Sequence, residues 1–164
     1  MSTPPLPMTI RNVTMLGATS PVDIVIRDGR IAAIGPDAGA NNVQEDVLDA
    51  RGQVVFPGLI DAHTHMEKTL VGLPWHRNEH GPLLIDMIEN ERRVRREEEI
   101  DFHRQTGIHA RMAIAVGTTH IRSHTDIDTE IGLRALEGVL QTKQDFRDSL
   151  TIQTVAFPQS GMLI

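Results

Sequence analysis

Between Val54 and His65 the chain reads Val-Val-Phe-Pro-Gly-Leu-Ile-Asp-Ala-His-Thr-His, an apolar run that closes on two histidines one residue apart. Strand side chains alternate faces, so His63 and His65 leave the C-terminal end of such a strand on the same side. A near-continuous apolar run suits a strand covered on both faces, as in a parallel sheet flanked by helices. Val54 to Ile60 is therefore expected as the first strand of such a sheet. The chain beyond it alternates elements. Leu83 to about Thr106 has helical charge spacing, and a second helical stretch from Phe102 to Val116 ends at Gly117. Thr118 to Thr125 is expected as a strand. Thr129 to Phe146 is expected as a helix with Ile131, Leu133, Leu136, Val139 and Leu140 on its apolar face, and Leu150 to Phe157 as a third strand. Strand, helix, strand, helix, strand implies an α/β fold with a parallel sheet and right-handed crossovers.

The chain before Val54 has another character. Thr9–Met15, Val22–Ile26 and Arg30–Ile34 are rich in β-branched residues, and Asp28-Gly29 between the last two is a hairpin signal. Gly35-Pro36 ends the third strand, 37–46 is a polar loop, and Val47 to Gly52 is a further short strand and turn. Residues 1–8 hold three prolines and read as a disordered lead. The organisation expected is a lead over 1–8, a β-rich part over 9–53 and an α/β part over 54–164.

Composition excludes several classes of function. There is no cysteine, hence no disulfide framework and no thiolate ligand or nucleophile. The net charge is -6 with no basic patch, which speaks against a nucleic-acid partner. No apolar run approaches the roughly 20 residues that span a bilayer. The N-terminus lacks the basic segment and apolar core of a signal peptide, so the cytoplasm is the default location.

Two neutral imidazoles converging at a strand end can hold a divalent transition metal such as zinc or iron, which makes His63 and His65 candidate metal ligands. His120, Arg122, His124 and Asp126 share strand parity and can line one face of the second strand. His124 stands level with the histidine pair and is a candidate contact for substrate or for water at the metal. His120 is expected to be structural and Arg122 to be a buried ion-pair or hydrogen-bond partner. Asp126 is expected either to orient a ligand or to cap a helix. Gln159, at the top of the third strand, carries both a donor and an acceptor and can read the edge of a pyrimidine. Residues 66–82 form a long connection of the kind that carries substrate contacts. Within it Lys68 can touch substrate or pair with an acid, and Trp75 can wall a pocket by stacking or simply pack. The acids and bases of Glu89 to Glu99 alternate at i,i+4 spacing, Glu89 with Arg93 and Glu91 with Arg95, which reads as a solvated helix face rather than an anion site. His76, His80, His103 and His109 lack partner spacing and read as loop or surface residues.

The run from Val54 to His65 resembles the first barrel strand of the amidohydrolase superfamily. Three more stretches, Asp23-Ile-Val-Ile-Arg-Asp-Gly-Arg-Ile-Ala-Ala-Ile-Gly35, Gly117-Thr-Thr-His-Ile-Arg-Ser-His-Thr-Asp126 and Val155-Ala-Phe-Pro-Gln-Ser-Gly161, resemble in that order cytosine deaminase and its relatives, which include aminohydrolases of triazines. The resemblance runs from about Thr9 to the last residue. It implies the N-terminal part of a (β/α)8 TIM-like barrel, about three βα units, preceded by part of a small β-sandwich domain. It makes His63 and His65 two ligands of one divalent metal, zinc or iron, puts Gln159 against the substrate ring and places His124 near the active site. The family's remaining ligands and its proton shuttle fall outside these 164 residues, so no catalytic residue is assigned within them. The Glu67-Lys68 pair matches some relatives better than the best-known cytosine deaminases and leaves the exact substrate open.

The function this implies is metal-dependent hydrolytic deamination of cytosine or a cytosine-like N-heterocycle. The partner is a small heterocyclic substrate, with a homo-oligomer possible at full length. Hydrolysis of another C–N bond, in an N-substituted triazine or a cyclic amide, is the alternative within enzymes. A complete barrel needs about 250 residues. The chain is therefore expected to be the N-terminal portion of a longer enzyme with little activity alone, or a non-catalytic fragment whose open sheet edges only associate with other chains.

Overall fold

The computed structural model describes residues 8–40 and 46–161, and the chain divides into two units between Pro57 and Gly58. The expected lead lies outside the described residues except for Met8, which opens the first strand.

The first unit is a five-stranded sheet: β1 (Met8–Met15), β2 (Pro21–Arg27), β3 (Arg30–Gly35), β4 (Asp46–Asp49) and β5 (Val54–Val55). β1 pairs antiparallel with β2 and parallel with β4 and β5, while β2 pairs antiparallel with β3. The β2–β3 hairpin turns at Asp28 and Gly29, both at positive φ (51° and 70°). That is the geometry a tight primed turn demands and Asp-Gly tolerates. Thr9, Val13, Ile24 and Val25 are buried and form the centre of this unit. Val54 and Val55 belong here, against Thr14 and Met15 of β1, and not to the barrel strand expected to start at Val54. Pro57 lacks a backbone donor and Gly58 lacks a side chain to pack, so the extended run breaks between two sheets.

The second unit holds the parallel sheet β6 (Leu59–Thr64), β7 (Thr118–Asp126) and β8 (Thr151–Phe157), in that order, with α1 (Leu84–Glu97), α2 (Phe102–Ala115) and α3 (Arg134–Asp145). The strand–helix alternation read from the sequence is present, with β7 central. β6 is less covered than its apolar run suggests: Ile60 is 70% exposed, because it pairs with His120 on the sheet face that is also exposed at His120 and Arg122 of β7.

The first helix ends at Glu97, short of the expected Thr106, and the second begins at Phe102 as expected. Asp101 accepts a hydrogen bond from the Arg104 amide at 3.0 Å and starts α2, leaving Glu98 to Asp101 as a break. Gly117, at φ +87°, turns the chain from α2 into β7. The core between sheet and helices is Met66, Ala110, Ile121, Val139, Leu150 and Ile152. Ile121, Ser123 and Thr125 of β7 are buried, while His120 and Arg122 at the alternate positions are exposed.

α3 differs from its expected span and face. It begins at Arg134, Ile131 is buried in the preceding loop, and Leu133 and Leu140 are exposed. Its buried face is Ala135, Gly138, Val139 and Thr142. Small residues win there because α2 and α3 approach closely. A Cβ on Gly138 would stand 2.8 Å from both the His103 amide nitrogen and the Phe102 Cβ. Gly138→Ala is therefore expected to lower stability by about 1–3 kcal/mol, the cost of overpacking a tight contact. Urea unfolding of wild type and variant measures it, and an unchanged midpoint would mean that the two helices separate freely.

Candidate metal centre

The C-terminal ends of the three parallel strands bring four rings together. His63 lies in β6, His65 one residue beyond it, His124 in β7 and Phe157 at the end of β8. His63 stacks on His124 with centroids 4.0 Å apart and planes 17° apart. His65 lies 5.6 Å from His63 and 6.1 Å from His124, and the Phe157 ring stands edgewise to it at 5.4 Å. The Met66 amide donates to the Ser123 hydroxyl at 3.2 Å and ties the segment after β6 to β7. Burial, then the Lys68 charge, lowers the His65 pKa. Desolvation, then the charges of His63 and Arg122, lowers that of His124. Both shifts favour neutral imidazole, the form that binds metal.

The donor atoms fit a divalent metal. His65 Nδ1, Glu67 Oε2 and Asp126 Oδ1 are buried without a hydrogen-bond partner, and unpaired buried polar atoms are costly. One ligand atom each from His65, Glu67 and Asp126 lie within 4.8 Å of one another. Imidazole with carboxylate suits zinc or iron. The two acids are already engaged, however. Glu67 Oε1 accepts from the Asp126 amide at 3.0 Å, and burial lifts its carboxyl to about 7. Asp126 Oδ2 accepts from Arg95 at 3.1 Å and lies 3.3 Å from Lys68 Nζ. Among the described residues no Lys or Arg side chain is hydrogen-bonded to the His63 or His65 ring, although the Lys68 charge reaches His65.

Beside the histidines lies a polar cluster. Lys68 Nζ donates to Glu91 Oε2 at 2.9 Å and to Gln159 Oε1 at 2.8 Å, and Gln159 Nε2 donates to the same Glu91 oxygen at 3.1 Å. Arg95 bridges Asp126 and Asp128 at 3.1 and 2.9 Å. A cavity of about 250 Å³ opens behind it, lined among others by Glu67, Lys68, His76, Val94 and Arg95. Gln105 of α2 donates to the carbonyls of Thr69 and Val71 and fixes the loop that carries Lys68.

Several expectations need correction. The i,i+4 pairs Glu89–Arg93 and Glu91–Arg95 do not form. Arg92 pairs with Glu89 and Arg93 with Glu97, while Glu91 and Arg95 turn inward. The face of α1 that carries both meets Lys68, Asp126 and Asp128, partners from outside the helix that local i,i+4 spacing does not include. Asp126 caps no helix, since Leu133 precedes α3. Arg122 makes a hydrogen bond, to Gln153 at 2.8 Å, but is exposed where it was expected to be buried. His103 pairs with Asp145 at 2.6 Å, a partner 42 residues away that local spacing could not reveal. Trp75, 83% exposed, lies with Leu70 and Pro74 and does not line the cavity beside Lys68. Sequence reasoning gave Glu67 and Glu91 no role in a site. The one available signal was that Glu67 follows His65 by two residues, the same step that separates His63 from His65.

Burial pushes the carboxyls of Glu91 and Asp128 up, but hydrogen bonds outweigh it and hold both below their ordinary values of 4.5 and 3.8. The Glu91 bonds come from Lys68 and Gln159, those of Asp128 from the Ile131 and Glu130 amides, with Arg95 adding charge attraction to each. Both groups release protons more readily folded than unfolded. Their stabilisation is thus present above about pH 4.5 and is lost as pH falls through the lower folded values. Glu67, lifted to about 7 by burial, acts in the opposite sense. The stability difference between wild type and Asp128→Asn should therefore shrink as pH falls from about 5 to about 3. A difference that stays constant over that range would contradict the Asp128 hydrogen bonds.

No family model matches the chain. It is 35% identical over 163 residues to N-isopropylammelide isopropyl amidohydrolase of Pseudomonas sp. (strain ADP), a match covering 96% of this chain and 40% of that protein. The crystal structure of N-isopropylammelide isopropylaminohydrolase from Burkholderia multivorans ATCC 17616 superposes with a TM-score of 0.87 at 42% identity, over 96% of this chain and 39% of that one. The 5-methylcytosine deaminase of Klebsiella pneumoniae liganded with 5-fluorocytosine gives a TM-score of 0.70 at 30% identity, over 94% and 37%. The fold is thus mixed α/β with parallel strands and matches part of the TIM-barrel amidohydrolases among its structural neighbours. The chain belongs to the amidohydrolase superfamily, as the resemblance of its motifs implied. It spans about two fifths of the length of the curated relative.

Proposed function

We propose that this chain supplies the metal-anchoring and ring-reading side of a hydrolase that cleaves the bond between a heterocycle's ring carbon and an exocyclic nitrogen. The observation that carries it is the placement of His63 and His65 at the strand ends beside the Lys68–Gln159–Glu91 cluster. His63 and His65 would hold a divalent metal, zinc or iron, which when bound lowers the pKa of water towards neutrality. His124 packs flat on His63 and restricts its ring, and Phe157 does so for His65. Gln159 offers an amide donor and acceptor to the ring, and Lys68 holds that amide in place. We read residues 9–53 as part of a small β-sandwich domain and 54–164 as part of the barrel. A small-molecule substrate and a cytoplasmic setting go with this activity, and no helix among the described residues is long and apolar enough to cross a membrane.

Cytosine and an N-alkylamino-triazine are the two substrate classes in view. The second has the stronger support, since the relatives at 35% and 42% identity are named for N-isopropylammelide and the deaminase stands at 30%. The test is amine release by the whole gene product loaded with zinc or iron. Isopropylamine from N-isopropylammelide is expected, with KM raised about tenfold or more in Gln159→Leu for loss of the amide's hydrogen bonds. Faster ammonia release from cytosine would exchange the substrate class. No amine from either compound would overturn the proposal.

A further inference from the structure

We propose that Glu91 is a positioning residue, and that the ring-reading face it holds is built for an uncharged heterocycle; this rests on the function proposed above and deepens it. A lysine ammonium has three donors. Lys68 has three acceptors around it: Glu91 Oε2 at 2.9 Å, Gln159 Oε1 at 2.8 Å and Asp126 Oδ2 at 3.3 Å. Two of its donors are committed to hydrogen bonds, and two carboxylates face its charge. Arg95 is likewise matched by Asp126 and Asp128. The cluster holds no spare positive charge to attract an anionic ring.

Glu91 also fixes which way the Gln159 amide points. Its oxygen takes the Nε2 side while Lys68 takes the Oε1 side. A flipped amide would set NH2 against the ammonium and carbonyl against the carboxylate, so chemistry allows one orientation. One N–H and one lone pair of Gln159 then remain, a donor beside an acceptor, which matches the amide or amidine edge of a neutral ring. Glu91 reaches this place from α1, outside the three strands that carry the histidines. Without its charge the amide is free to turn and the Lys68 charge loses half of its compensation.

Glu91→Gln keeps the size and the helix propensity of the residue and removes the charge. Two readouts test the proposal. The first needs no ligand: the side-chain amide NMR signals of Gln159 in the isolated chain. They are expected to be slowly exchanging in wild type and to shift and broaden in Glu91→Gln, while Glu89→Gln, on the exposed side of α1, leaves them alone. The second is KM of the metal-loaded whole gene product for N-isopropylammelide kept neutral by pH, and the dissociation constant of orotate as an anionic ring. Glu91→Gln is expected to raise KM about tenfold to a hundredfold, the scale of a hydrogen bond to a charged group, and to tighten orotate. A merely structural role would weaken both rings together, and that result would overturn the proposal. Unchanged Gln159 signals would overturn it whatever the rings do. A wild-type protein that binds neither ring but shows the Gln159 shift would overturn the function and the ring preference while leaving the Glu91–Gln159 contact standing.

Discussion

Replacing His63 or His65 with alanine is expected to strip the whole gene product of its metal and to cut turnover by at least about a thousandfold. The size follows from the chemistry lost: a metal contributes several kcal/mol of charge stabilisation, and each 1.36 kcal/mol is a factor of ten in rate. The two rings leave alternate positions at the end of β6, and among the described residues no acidic or basic side chain is hydrogen-bonded to the His63 ring. Desolvation holds His65 in its neutral, ligating form. His63 is exposed and His65 half-buried, so alanine at either leaves the Met66–Ile121–Val139 core untouched. Metal content after dialysis and the melting temperature separate the two effects: metal should go while the melt stays within a few degrees. A variant that keeps its metal and its rate would remove the histidine pair from the account.

The largest stability effect is expected at Arg95. Its guanidinium joins Asp126 and Asp128, with Arg95 and both acid side chains 9% exposed or less. Arg95→Ala leaves Asp126 facing Lys68 and leaves Asp128 with two backbone amides and the more distant Arg92 charge, neither carboxylate with its guanidinium. Breaking a buried pair by removing one partner costs about 3–5 kcal/mol, because the remaining charge stays desolvated. Arg96→Ala is the control. It pairs at 2.9 Å with Glu130 but is half exposed, and such surface pairs contribute about 0–1 kcal/mol. Urea unfolding of both variants decides. Equal, small effects would mean that α1 is not held by its inward charges.

What the sequence made legible, and what it hid, follows the range of the forces involved. The β2–β3 hairpin was readable because Asp28-Gly29 is a local backbone requirement. The βα alternation was readable because hydrophobic period is local too, and His63 and His65 could be paired because they share one strand end. The break at Pro57 was written in the sequence yet masked by the apolar run on either side of it. The face of α3 was misjudged, since Gly138 and Thr142 are buried by the approach of α2 and not by their own hydrophobicity. The charges of α1 were misread for the same reason. Glu91 and Arg95 look like any salt-laced helix until Lys68, Asp126 and Gln159 arrive, 23, 31 and 68 residues away in sequence. A long-range ion pair has no local signature.

The central claim is a metal held by His63 and His65, and anomalous scattering at the zinc edge from a zinc-soaked crystal of the whole gene product tests it most directly. A peak about 2.0–2.1 Å from a ring nitrogen of both His63 and His65 is the result expected of zinc–imidazole coordination. A peak bound by Glu67 and Asp126 without His63, or no peak at these strand ends, would contradict it.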